Sequence, residues 1–92
     1  MYKIIHKSSG GLLTPTQFSS NPGTSLIIWL DSNNPAQLWE LLANTNGSYR
    51  LKNHVSGLVA TPSVHSSASE ASLILWTDEN NSSQHWQLNY LP

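Results

Sequence analysis

Trp29 and Trp76 each end an apolar segment of the chain and stand shortly before a polar turn. Each turn carries one aspartate, Asp31 or Asp78, and two asparagines. An indole face beside a few convergent polar groups can hold a ligand that has one C–H face and a rim of hydroxyls. Asp and Asn are also favoured in turns, because their side chains bond to nearby backbone. Ligand contact and turn formation therefore both remain open for these polar residues.

Few other side chains have the types and spacing that catalysis or metal binding requires. His6, His54, His65 and His85 show no paired metal-ligand spacing, and the chain has no cysteine. The five acidic residues are scattered over turns, and no Gly-x-Ser-x-Gly elbow or glycine-rich phosphate loop is present. We therefore expect a protein that is not an enzyme and that uses no metal and no cofactor.

Composition and charge narrow the classes of partner. Only 10% of the 92 residues are charged, against roughly 25% in typical soluble domains. The formal net charge is −1 and the four lysines and arginines form no basic stripe, so nucleic acid and anionic membranes are not expected partners. No apolar run reaches membrane-spanning length, and the first residues lack a signal-peptide layout. We expect a cytoplasmic protein, or one released without a signal peptide, that does not insert into membranes.

The chain repeats itself. Shifting the sequence by 47 positions aligns 17 identical residues over 44 positions without a gap. Average composition would give roughly 3 identities over that length. The shift places Thr14 on Thr61 and Trp29 on Trp76. We predict a single domain, residues 1–92, made of two repeats at 1–47 and 48–92.

Both repeats predict short β-strands separated by turns rich in Gly, Pro, Asn and Ser. Helix is an alternative for 36–43 alone, and the matching segment 84–90 argues against it because both repeats should share one structure. An all-β fold follows. The predicted strands are 2–6, 12–14, 26–30 and 38–42 in the first repeat and 49–53, 58–61, 73–77 and 85–90 in the second.

Each repeat also carries a Gln-x-Trp motif, at Gln37 to Trp39 and at Gln84 to Trp86, ten positions after the turn-bordering tryptophan. With this spacing the repeat resembles that of the ricin B-type β-trefoil lectin family. The resemblance implies β-trefoil-type repeats of four strands each. Three such repeats close a barrel in the family, whereas this chain supplies two. The core is therefore expected to be completed by oligomerisation or by a modified closure, and a homo-oligomer is predicted, with a dimer favoured because twofold assemblies are the commonest.

The resemblance further implies non-catalytic carbohydrate binding, with one aromatic platform per repeat and multivalent recognition of glycans after assembly. Trp29 and Trp76 match the family's platform on which a sugar ring stacks, whereas Trp39 and Trp86 match its core tryptophan. The glycans implied are of the galactose or N-acetylhexosamine type. The candidate carbohydrate-binding residues are Thr14, Trp29, Asp31, Asn33, Asn34, Gln37, Thr61, Trp76, Asp78, Asn80, Asn81 and Gln84.

Each repeat departs from the family's galactose-binding pattern at two positions. Thr14 and Thr61 stand where the family has an aspartate, and Ala36 and Ser83 stand where it has an asparagine. Loss of the carboxylate removes a strong, charge-assisted acceptor for sugar hydroxyls. The usual galactose chemistry is therefore not expected in either repeat.

Two other functions remain open. One is a β-trefoil protease inhibitor that presents an exposed loop, for which 16–23 and 63–70 are the candidates because they carry the least repeat-matched sequence. The other is an oligomerisation scaffold without a ligand, in which Trp29 and Trp76 only plug the end of the barrel. Replacement of these tryptophans separates the scaffold from the lectin.

Overall fold

The computed structural model describes residues 1–66 and 71–88. Part of the candidate inhibitor loop 63–70 and the end of the predicted strand 85–90 lie outside these residues. The described part contains six β-strands and four 3₁₀ turns, without an α-helix. The predicted all-β fold is confirmed. No helix in the described part is long and apolar enough to cross a membrane.

The strands pair into two antiparallel sheets. A two-stranded sheet joins β1 (Leu12–Pro15) to β2 (Leu26–Trp29), and a four-stranded sheet runs in the order β3, β4, β5, β6. The strands of the larger sheet are β3 (Trp39–Ala43), β4 (Tyr49–Asn53), β5 (Val59–Pro62) and β6 (Leu73–Trp76). The four 3₁₀ turns are Thr16–Phe18, Pro35–Gln37, Ser63–His65 and Ser82–Gln84.

Each repeat forms a hairpin of the same register. Thr14 lies opposite Ile27 in the hairpin of β1 and β2, and Thr61 lies opposite Ile74 in the hairpin of β5 and β6. The outer strands β2 and β6 consist of apolar, partly β-branched residues, which favour extended backbone. A backbone bridge between Ser25 and Ile74 joins the hairpins. The two repeats therefore contact each other through their hairpins.

The predicted strand 2–6 is reduced to isolated bridges, one of which joins Tyr2 to Trp39. Its counterpart in the second repeat is β4, which forms a full ladder with β3, the last strand of the preceding repeat. Segment 2–6 has no strand of a preceding repeat beside it within the described residues. Trp86 likewise forms a single bridge, to Tyr49. The ladders thus weaken at both outer edges of the two-repeat unit.

Trp39 belongs to the core, where it forms a buried apolar cluster with Leu13, Leu51 and Leu75 among others. Its exposed fraction is 0%, and its indole Nε1–H donates to the carbonyl oxygen of Leu13 at 3.0 Å. The predicted core role of Trp39 is confirmed. Trp86 packs against the same cluster but is only partly buried. The core is therefore better closed around the first Gln-x-Trp tryptophan than around the second.

Matched residues differ in exposure between the inner strands β3 and β4 and the segments at the two outer edges. Tyr2 is 55% exposed, whereas its counterpart Tyr49 on β4 is half-buried. Leu88 is 52% exposed, whereas its counterpart Leu41 on β3 is half-buried. The same repeat position is half-buried between the two repeats and exposed at the outer edges of the described residues. The fold is an incompletely closed arrangement of two repeats.

Candidate functional site

A depression opens beside each hairpin, and repeat-matched residues line the two depressions. Each has a volume of about 220 Å³. Every lining residue of the first depression is 47 positions before a lining residue of the second. The first is lined by Thr14, Pro15, Thr16, Gln17, Phe18, Ile27 and Trp29, and the second by Thr61, Pro62, Ser63, Val64, His65, Ile74 and Trp76. The internal duplication has therefore produced two copies of one concave site.

Trp29 and Trp76 contribute to the walls of the depressions and remain accessible. Trp29 ends β2 opposite Leu12, and Trp76 ends β6 opposite Val59. Both opposing residues are buried, while the tryptophans are 49% and 38% exposed. An accessible indole beside an apolar depression is available to stack on the C–H face of a ligand. The structure thus brings the two candidate platform residues to the depressions.

A tight turn in left-handed backbone conformation also lines each depression. Gln17 and Phe18 have φ angles of 55° and 56°, and Val64 and His65 have 50° and 53°. Such φ values are uncommon for residues other than glycine, and especially for a β-branched residue such as valine. Different residues share the conformation in the two repeats, so the surrounding frame imposes it. The sequence places these four residues in the candidate inhibitor loops 16–23 and 63–70 and not in a sugar site, because their types differ between the repeats and are not typical of such turns.

Thr14 and Thr61 lie on the walls of the depressions and are each only 1% exposed. The Thr14 hydroxyl donates to the carbonyl oxygen of Leu12 at 2.8 Å and accepts from Gln37 Nε2 at 3.2 Å. Thr61 makes the matching pair of bonds, which includes a 3.2 Å contact from Gln84 Nε2. Both hydroxyls are therefore already engaged by protein groups.

Gln37 connects the strand that carries Thr14 to the turn that follows Trp29. Besides its bond to Thr14, its Nε2 donates to the carbonyl oxygen of Leu30 at 2.9 Å. Its Oε1 accepts from the backbone N–H of Ser32 at 3.0 Å and from a second N–H in the same turn. The side chain is 1% exposed. Gln84 makes the same four kinds of bond in the second repeat.

Replacement of either glutamine tests this positioning role. We expect Gln37→Leu and Gln84→Leu each to lower the free energy of unfolding by about 2–3 kcal/mol, because several polar groups would lose their partners. Urea denaturation monitored by tryptophan fluorescence measures the change. Gln87→Leu, which alters an exposed glutamine, is the control and should change stability by less than about 0.5 kcal/mol. Equal stabilities for all three variants would contradict the role.

Asp31 and Asp78 pair with cations from the beginning of their own repeats. Lys3 Nζ lies 2.8 Å from Asp31 Oδ2, and Arg50 Nε lies 2.9 Å from Asp78 Oδ2. The hydrogen bond from Lys3, followed by that from the Asn33 backbone N–H, lowers the pKa of the Asp31 carboxyl below its ordinary value. Lys3 and Arg50 are themselves related by the 47-residue shift. The recurrence of a cation and an aspartate at matched positions is a sequence feature that could have predicted these ion pairs. The net charge of the chain does not reveal it.

The candidate asparagines shape the same turns. Asn33 and Asn80 have φ angles of 54° and 49°. The side-chain oxygens of Asn34 and Asn81 cap the following 3₁₀ turns, at 2.8 and 2.9 Å from the backbone N–H two residues on. Neither the asparagines nor the aspartates and glutamines of the candidate set line the two depressions. Their contact with a ligand stays a prediction, while their turn-forming bonds are observed.

Apolar surface dominates the accessible lining of the depressions, and the polar lining residues carry hydroxyl, amide or imidazole groups. His65 is the only ionisable residue among those that line them. Among residues 1–66 and 71–88, no cluster of three or more His, Cys, Asp or Glu side chains could hold a metal ion. The site geometry therefore suits an uncharged ligand with both apolar and hydroxylated surface.

Comparison with solved structures shows the same architecture. ThreeFoil, a designed threefold-symmetric protein, superposes with a TM-score of 0.94 and 27% identity over 98% of this chain and 64% of its own. The exo-β-1,3-galactanase 1,3Gal43A from Clostridium thermocellum gives a TM-score of 0.92 and 24% identity over 97% of this chain and 19% of its own. A Polyporus squamosus lectin bound to Neu5Acα2-6Galβ1-4GlcNAc gives 0.77 and 20%, over 94% of this chain and 30% of its own. The chain thus spans less than two thirds of each of these proteins.

Sequence comparison leads to the same assignment. A search of curated protein sequences returned no significant match. The sequence model of the ricin-type β-trefoil lectin domain-like family matches residues 1–76, most of the chain. The matched range covers the whole first repeat and the second as far as Trp76. The chain therefore belongs to the ricin-type β-trefoil lectin domain-like family.

Proposed function

We propose that the protein is a non-catalytic lectin module that binds glycans in the two depressions, with Trp29 and Trp76 as stacking platforms. The observation that carries the proposal is the pair of repeat-matched depressions, each of which has an accessible indole on its wall. Membership of a ricin-type lectin-like family supports carbohydrate binding in general. The proposal further specifies that the sugar stacks on these tryptophans and that each repeat binds one glycan.

The size and lining of the depressions favour a single sugar ring. Their volume of about 220 Å³ is below the roughly 300–1,000 Å³ of sites for drug-sized ligands. One face of a pyranose is mostly C–H and fits against an indole, while its hydroxyls need polar neighbours. The Polyporus squamosus lectin of the same fold was bound to a glycan that contains galactose and N-acetylglucosamine. We therefore propose a glycan of the galactose or N-acetylhexosamine type as the ligand.

A glycan array and a haemagglutination assay test the function together. We expect the labelled protein to bind array glycans that end in galactose or an N-acetylhexosamine, and free sugar to compete. Red-cell agglutination should follow if two or more sites act at once, because linked sites raise avidity by about 10²-fold or more. Blank results from both assays at high protein concentration would remove the lectin proposal.

We also propose that the open side of the fold packs against another copy of the chain. The support is the exposure of Tyr2, Ile5 and Leu88, which are 55%, 62% and 52% accessible. These residues belong to the two edges of the fold where strand pairing is reduced to single bridges, and incompletely paired edges favour pairing with another chain. Assembly would cover these residues and would present several sugar sites together.

Sedimentation equilibrium at micromolar concentration tests the assembly. We expect a dimer or larger species, and we expect Ile5→Lys, which installs the residue of the matched position Lys52, to shift the equilibrium towards monomer. Val55→Ser, which installs the residue of the matched position Ser8 at another exposed site, should leave the equilibrium unchanged. A folded monomer of the unmodified chain would contradict the proposal.

A further inference from the structure

The second depression carries a chain of polar side chains that spans three segments. His65, on the tight turn, has its Nδ1 2.5 Å from the Ser83 hydroxyl oxygen and its Nε2 2.9 Å from Glu79 Oε1. Ser83 lies in the 3₁₀ turn before Trp86, and Glu79 lies in the turn after Trp76. Polar groups therefore meet beside the second tryptophan platform.

The first depression has no such arrangement. Phe18 occupies the position matched to His65, Ala36 the position matched to Ser83, and Ser32 the position matched to Glu79. Ala36 is 2% exposed, and the Ser32 hydroxyl donates to the carbonyl oxygen of Leu30. Two aromatic rings, Phe18 and Trp29, therefore line the first depression. The two copies have the same shape but different chemistry.

The hydrogen bonds define which groups of the second depression can receive a ligand. A carboxylate only accepts hydrogen bonds, so in the tautomer of His65 that carries its proton on Nε2 the ring donates to Glu79. Its Nδ1 then carries a lone pair and accepts the Ser83 hydroxyl proton. With that proton directed at the histidine, the remaining lone pairs of the Ser83 oxygen can accept from a ligand. The Glu79 side chain is 50% exposed, so its carboxylate is accessible from solvent.

We propose that Ser83 and Glu79, positioned by His65, form the hydroxyl-recognising rim of the second depression and make it the more selective of the two sugar sites. The inference rests on the proposed function and specifies its ligand class, sugars with free hydroxyls that donate to these oxygens. Thr61 stands where the galactose-binding repeats of the family have an aspartate. It is buried, and its hydroxyl donates to the carbonyl oxygen of Val59. Glu79, in the turn after Trp76, supplies a carboxylate to this rim through its contact with His65. The first depression binds the sugar face by apolar contact and reads hydroxyls weakly.

The duplication provides matched variants for the test. His65→Phe, Ser83→Ala and Glu79→Ser each install the residue that the first repeat carries at the same position. His65→Phe is compatible with the backbone, because Phe18 has a φ of 56° where His65 has 53°. His54→Lys, which replaces an exposed histidine by the residue of the matched position Lys7, controls for loss of a histidine.

The indole Nε1–H resonances of Trp29 and Trp76 report the two sites separately in one ¹⁵N-labelled sample. The probes are galactose, N-acetylgalactosamine and N-acetylglucosamine, followed by monodeoxy analogues of the tightest binder. We expect His65→Phe, Ser83→Ala and Glu79→Ser each to weaken binding at Trp76 by roughly tenfold, the usual effect of a lost hydrogen bond to a ligand. Binding at Trp29 and the behaviour of His54→Lys should stay as in the unmodified protein.

The deoxy analogues distinguish recognition from a merely structural role. In the unmodified protein, one deoxy analogue should lose roughly tenfold in affinity at Trp76, and in Ser83→Ala that loss should disappear because the partner is already absent. If Trp76 responds to a sugar and the three variants leave its titration unchanged, the inference is overturned while the lectin function stands. If neither tryptophan responds to any of the three sugars, the proposed function fails and the inference with it.

Discussion

Trp39→Ala is expected to leave the chain largely unfolded at room temperature. Trp39 is fully buried in the core cluster and its indole N–H bonds to the Leu13 carbonyl. Large-to-small replacement of a buried aromatic costs about 3–5 kcal/mol, which is most of the roughly 5 kcal/mol at the low end of the stability range for a domain of this size. Most of the lost stability comes from the missing apolar contacts of the indole. The two repeats offer few side chains that could move in to fill the cavity.

Circular dichroism and thermal denaturation measure the effect. Trp86→Ala should cost less than Trp39→Ala, because Trp86 is only partly buried. Trp39→Phe keeps an aromatic ring in the core but removes the indole N–H donor, and it should cost about 1–3 kcal/mol. Leu30→Ala, at a residue that is 64% exposed, is the surface control and should be close to neutral. A folded Trp39→Ala variant with a melting temperature near that of the unmodified chain would refute the core assignment.

The double variant Trp29→Ala with Trp76→Ala is expected to fold and to lose sugar binding. The two indoles are 49% and 38% exposed, so their removal leaves no closed cavity and should cost little stability. Loss of the stacking surface should weaken binding by at least about tenfold at each site. Each single variant should retain the response of the other site.

Affinity by isothermal titration and folding by circular dichroism must be measured on the same samples. Trp29→Phe and Trp76→Phe serve as controls, since they keep an aromatic face and should retain part of the affinity. Loss of folding in the double variant would mean that the tryptophans plug the barrel end, as the scaffold alternative requires. Full binding by a folded double variant would place the glycan elsewhere.

Much of the fold could be predicted from the sequence because the duplication doubles every signal. The strands that contain matched apolar residues follow from the 47-residue shift, and the core position of Trp39 follows from the resemblance carried by the Gln-x-Trp motif. The edges were harder to predict. Segment 2–6 has a strand-like pattern, but the ladder also needs a neighbouring strand, and the sequence pattern carries no information on its presence.

The candidate site was only partly predictable for a related reason. Trp29, Trp76 and the two threonines line the depressions, as their positions in the pattern suggested. The tight turn that carries Phe18 or His65 escaped prediction because tertiary packing, and not residue type, imposes its positive φ. The hydrogen bonds by which Gln37 and Gln84 hold a strand against a turn also depend on contacts between distant segments, which the sequence pattern does not show. The sequence therefore predicted the tryptophans and threonines that line the depressions and missed the turn residues that line them as well.

A crystal of the protein soaked with a mixture of galactose, N-acetylgalactosamine, N-acetylglucosamine and fucose tests the lectin proposal most directly. The expected result is electron density for a sugar ring stacked on Trp76, on Trp29 or on both, within the depressions that these residues line. Sugar bound only at another surface, or both depressions free of sugar at concentrations that saturate binding in solution, would contradict the account.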